Sequence, residues 1–146
     1  MRISNDDTIK LLRECSAGIK MAVDSIDEIM PYVENENLSA ILSGSKSVHE
    51  QLGAETGAQL ESHGSGQKEP NPMAKGMSWV KTNVKMAWNP HTDEVADLMT
   101  DGCGMGIKSL SKYLNKYAAS DPAAKDIAQR TIKAEDDLVV SLRAYL

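Results

Sequence analysis

Leu12, Ile19, Ile26 and Val33 recur at seven-residue spacing, and no other feature of the 146-residue chain restricts its fold so strongly. Two turns of an α-helix return a side chain to the same face, whereas a strand needs strict alternation. Cys15, Ala22 and Ile29 fill the intermediate positions, and Val23 and Met30 widen the stripe. The pattern predicts a long helix over residues 5–32. Ser4 supplies a capping oxygen, and Asp6 and Asp7 place negative charge where a helix N-terminus favours it. Pro31 has no N–H for the helical ladder, so this helix kinks there or ends just before it.

A second stripe, through Leu38, Ile41, Leu42, Ser45, Val48, Leu52, Thr56 and Leu60, predicts a helix over 36–63. Only Glu34 to Asn37 separate it from the first, and so short a connection makes neighbouring helices antiparallel. The glycines and polar residues of SHGSGQKEPN mark a loop. Beyond it, Asn71-Pro72, Asn89-Pro90 and Asp121-Pro122 each set a capping side chain before a proline at the first helical position. These starts predict a short helix over 72–88 and long helices over 91–118 and 122–145. Val95, Leu98, Met99, Met105, Leu110, Tyr113 and Tyr117 form the apolar face of one. Ile127, Thr131, Leu138, Leu142 and Tyr145 form that of the other. No segment alternates as a strand does.

The expected fold is therefore all-α, one domain over residues 1–146: an antiparallel four-helix bundle with a short crossover helix between its second and third long helices. A connection of that length lets the chain cross the bundle and leaves those two long helices parallel. With no phenylalanine, the core draws on Leu, Ile, Val, Ala and 8 methionines, whose flexible side chains suit helix interfaces.

A net charge of −5 gives nucleic acid no basic stripe to meet. The N-terminus lacks the apolar core of a signal peptide, and no stretch is long and apolar enough for a transmembrane segment. Cys15 and Cys103, far apart and in no CxxC pair, read as reduced thiols, which points to a cytoplasmic protein.

The helix order resembles the ferritin-like superfamily, in particular a small uncharacterised four-helix-bundle family within it. The likeness covers nearly the whole chain. It is carried by His49-Glu50-x-Leu52 in the second helix, the middle segment KGMSWVKTNVK, and Asp101-Gly102 followed by KSLSKYLNKY. The resemblance implies the crossover topology. Di-iron members use a Glu from each of two helices and Glu-x-x-His from each of the others. Here Lys46 stands three residues before His49, and the fourth helix has Glu135, Asp136 and Asp137 but no histidine.

What survives of that ligand set is a reduced candidate. The antiparallel pairing brings His49, Cys103 and Glu135 toward one layer, and such ligands suit zinc or iron. Glu14, Glu50 and Asp101 are nearby acids. The plainer alternative has His49 at the core edge with its ring hydrogen-bonded, Cys103 as a small buried hydrophobe and Glu135 in solvent. Cys15 reads as a buried, inert thiol, and no histidine adjoins it in sequence.

The segment TDGCGMGIKS does not have phosphate-loop spacing, because Ile107 separates Gly106 from Lys108 and no strand precedes it. Gly102, Gly104 and Gly106 each cost about 1 kcal/mol of helix propensity relative to alanine, so close packing, a bend or a small ligand site must offset them. Residues 72–88 carry Lys75, Lys81 and Lys85 and no acid. Trp79 and Met86 fall beside the main apolar face, so Trp79, Lys81, Lys85 and Met86 are candidates for contact with a protein partner or a membrane surface; otherwise the segment caps the bundle.

No catalytic residue and no cofactor is indicated beyond the iron or zinc candidate. The functional expectation is a non-enzymatic interaction or structural protein, with a homodimer as one form of that interaction. The alternative is a degenerate metal-binding or redox carrier with its site inside the bundle.

Overall fold

The computed structural model describes residues 2–66 and 91–146. The expected short helix over 72–88, the prolines at 72 and 90, and Trp79, Lys81, Lys85 and Met86 lie outside the described residues. Within them the chain is all-α, with no strand. The four helices are α1 (Asn5–Ile29), α2 (Glu36–Ser62), α3 (Thr92–Lys116) and α4 (Pro122–Leu142).

Each boundary has a local cause. The Ser4 hydroxyl accepts from the Asp7 N–H at 3.1 Å and starts α1. Pro31 ends it: α-helical bonding stops at Ile29, and Met30–Tyr32 tighten into a 3-10 turn. The Asn35 side chain caps α2 through the Leu38 N–H at 3.0 Å. Asp121 caps α4 through Ala124 at 2.8 Å, with Pro122 in the first turn as its spacing requires. α3 begins within one residue of its expected start, with His91 as N-cap, while the expected cap Asn89 lies outside the described residues. The His91 side chain makes no capping bond, and Asp93 and Glu94 in the first turn supply compensating negative charge. At the far end, Arg143–Tyr145 form a 3-10 turn where the fourth helix was expected to continue to 145.

The C-terminus of α2 turns on Gly64, whose φ of 69° lies in the left-handed region. The Gly64 N–H donates to the Glu61 carbonyl and the Ser65 N–H to the Leu60 carbonyl, the paired bonds that close a helix around a left-handed residue. Gly64→Ala keeps those bonds but strains the backbone. It is expected to lower stability by about 1–2 kcal/mol in urea titration.

One end of the molecule is tied by hydrogen bonds between residues more than a hundred positions apart. The Ser4 N–H donates to the Ala119 carbonyl at 2.7 Å, and the Ala119 N–H donates to Asp7 Oδ2 at 3.2 Å. The Asp121 N–H donates to the Thr8 hydroxyl at 2.9 Å, and that hydroxyl donates to the Ser4 carbonyl at 3.0 Å. His63, just past α2, joins the same corner through Asn5 Oδ1 at 2.8 Å. The start of α1, the end of α2 and the α3–α4 turn therefore meet.

Apolar packing divides into two clusters. One gathers Ile26, Ile29, Leu38, Leu42, Val95, Met99, Leu138 and Leu142. The other gathers Leu11, Leu12, Cys15, Ile19, Leu52, Leu60, Leu110 and Ile127. At Gly53 the Ile19 side chain of α1 packs onto the α2 backbone, since an added Cβ would lie 3.3 Å from Ile19 Cγ2. Outside, Arg130 holds Glu55 through two bonds of 2.7 and 3.0 Å and so links α4 to α2. Being exposed, that pair adds little stability.

Two stripe positions turn outward. Val48 and Met105, expected on buried faces, are exposed, and the neighbouring inward positions belong to His49 and Cys103. Among the described residues, no helix is long and apolar enough to cross a membrane.

Candidate functional site

His49 and Glu135 meet between the two apolar clusters, next to Cys103 of the first cluster. The placement follows from helical period. His49 lies seven residues from both Leu42 and Thr56, Glu135 seven from Ala128 and Leu142, and Cys103 seven from Ala96 and Leu110, all of them buried. Each of the three side chains therefore occupies a core-facing position of its helix. Glu135 is buried rather than solvated, which departs from the plainer of the two expectations.

The His49 side chain is 0% exposed and that of Glu135 9%. Nδ1 of His49 lies 2.8 Å from the Ser45 carbonyl oxygen, which only accepts, so Nδ1 carries a proton. The other nitrogen, Nε2, is 3.0 Å from Glu135 Oε1. Burial by itself would lower the His49 pKa, but the hydrogen bond and charge of Glu135, aided by the Ser45 carbonyl, outweigh it and raise the value above the ordinary one. The pair is thus an imidazolium donating to a carboxylate. Among the described residues, no buried side-chain nitrogen or oxygen lacks a hydrogen-bond partner.

Burial first, and then the nearby Glu135 carboxylate, push the Cys103 pKa far up, so the thiolate is suppressed. Cys15 is likewise buried and pushed up to about 12, first by burial and then by Glu14. Both cysteines are free. Neither is a nucleophile near neutral pH.

Above the His49–Glu135 pair lies a cleft of about 670 Å³, walled by α1 and α3. It exists because the facing residues are small: Ala17, Gly18, Ala22 and Ser25 on α1, and Gly102, Gly106 and Ser109 on α3. Met21 and Met105, both partly exposed, lie at its rim, and His49 and Glu135 form its floor. The glycines of α3 are therefore not all there for tight packing. An added Cβ at Gly104 meets nothing within 4 Å, and one at Gly106 would rest 3.6 Å from Glu135 Oε1, ordinary contact.

The metal candidates converge, but not as a coordination set. The Glu135 oxygen that would face a metal already accepts from His49, and the thiol holds its proton. Among the described residues, no group of three or more His, Cys, Asp or Glu side chains is arranged to hold a metal ion. Of the nearby acids, Glu14 lines the cleft, whereas Glu50 and Asp101 are exposed.

The raised His49 pKa makes stability depend on pH. A group whose folded value lies above its unfolded one stabilises fully below the unfolded value, about 6.5 for histidine, and loses that contribution as pH rises through the folded value. The urea midpoint is expected to fall as pH increases from about 6 to about 8, before the cysteines begin to ionise in the unfolded chain, and to be nearly flat in His49→Gln. A midpoint that rises over this interval would contradict the ion pair.

No family model matches the chain, and no curated protein matches it.

Proposed function

We propose that the chain is a non-enzymatic, ferritin-like bundle of antiparallel helices that works by binding, holding a small and largely apolar molecule in the cleft between α1 and α3. The single observation that carries this reading is the cleft itself. Its volume, about 670 Å³, falls within the range of small-molecule sites, and a few polar groups converge on an otherwise apolar lining. Two protonated thiols and an imidazole with both nitrogens engaged favour binding over chemistry. The ferritin-like topology is supported by the corner where the start of α1, the end of α2 and the α3–α4 turn meet, since α2 and α3 then run the same way.

The test is to fill the cleft. Gly18 lines it, and an added Cβ there meets no atom within 4 Å, so Gly18→Leu takes up ligand space without displacing the core. A neutral apolar probe, 2-naphthylmethanol, should bind the native protein saturably and one-to-one. Gly18→Leu should weaken it about tenfold or more while the thermal midpoint holds. No saturable binding to the native protein would overturn the reading.

A metal or redox carrier is the second reading, favoured by one observation: the Ser45 carbonyl fixes the His49 tautomer in the way outer-shell carbonyls orient metal-bound imidazoles. Iron or zinc would require Glu135 to turn away from Nε2 and Cys103 to lose its proton. Protein purified without chelator should then carry close to one equivalent of metal, lost in His49→Gln; less than about a tenth of an equivalent rules the carrier out.

A further inference from the structure

We propose that the cleft selects a protonated amine carried on an apolar body, with the Glu135 carboxylate as its counter-ion; this choice of ligand rests on the binding function proposed above. The polar atoms at the floor determine what a ligand must offer. Both nitrogens of His49 are engaged, Nδ1 with the Ser45 carbonyl and Nε2 with Glu135. The imidazole therefore has no donor left for an incoming acceptor. The carboxylate, by contrast, has about four lone-pair sites, one of which takes the bond from His49 Nε2. It is also the more exposed of the pair, with 9% of its side chain exposed against 0% for His49.

Charge points the same way. Glu14 and Glu135 line the cleft, and among its described lining residues there is no lysine or arginine. Glu14 has a polar interaction of its own, so the proposal rests on Glu135. A carboxylate ligand would meet like charge, and a neutral alcohol would donate without charge assistance.

The experiment uses three probes with one apolar body, namely 2-naphthylmethylamine, 2-naphthylmethanol and 2-naphthoate, titrated into the full chain by calorimetry. The amine should bind at least about tenfold more tightly than either of the others. Its advantage over the alcohol should vanish in Glu135→Gln, which retains an oxygen for His49 to donate to. Equal affinities for all three probes, each weakened by Gly18→Leu, would overturn the amine proposal and leave the binding function standing. Tightest binding of 2-naphthoate would overturn it too. No binding of any probe would remove both. Should Glu135→Gln fail to fold by circular dichroism, the native protein decides: an amine that binds no more tightly than the alcohol overturns the proposal.

Discussion

Glu135→Ala is expected to destabilise the fold by about 3–5 kcal/mol, among the largest effects of any single substitution in this chain. The loss does not measure how much the ion pair contributes. Removing the carboxylate leaves a fully buried imidazole with one nitrogen deprived of its partner. Replacing both partners with apolar residues of similar size, as in His49→Leu with Glu135→Met, removes the charges together and should cost far less than either single change. Urea unfolding of the native protein, the two single variants and the double variant closes the cycle. Additive losses would show that the two side chains do not act as a unit.

Leu42→Ala is the second large effect, about 2–5 kcal/mol. Leu42 is fully buried in the cluster that holds Ile26 and Leu142, and it does not line the cleft. Leu110→Ala supplies the contrast. That side chain is nearly as buried but borders the cleft, so its truncation enlarges a space already present and should cost nearer about 2 kcal/mol. If the Leu110 variant proves the less stable of the two, packing around the cleft is tighter than its volume implies.

These contrasts also mark how far the chain could be read without coordinates. The ends of the helices were legible wherever a side chain or proline terminates the ladder locally: Ser4, Pro31 and Asp121 act as their spacing suggests. Asn89-Pro90 lies outside the described residues, and α3 begins at Thr92, one residue from the expected start. Core membership was harder. Val48 and Met105 are apolar and lie near the buried stripe, yet a step of about 100° along a helix turns a side chain from core to surface. The buried residue beside Val48 is His49, which hydropathy ranks far lower. A seven-residue count through Leu42, His49 and Thr56 would have placed His49 inward without regard to polarity. The cleft was not legible, since Ala17 and Gly18 leave a gap only if Gly102 and Gly106 face them from a helix more than eighty residues away.

The division of the core into two apolar clusters bears on motion. Hydrophobic contacts within each cluster favour opening as a unit, while the charged layer between them carries little of the apolar contact that would couple one to the other. Amide exchange should then fall into two protection classes, one for each end of the molecule. The cleft is walled by Ile26 and Leu138 from one cluster and Leu110 from the other. A molecule seated there spans the boundary, so it would splice two separately breathing halves into one and slow exchange in both.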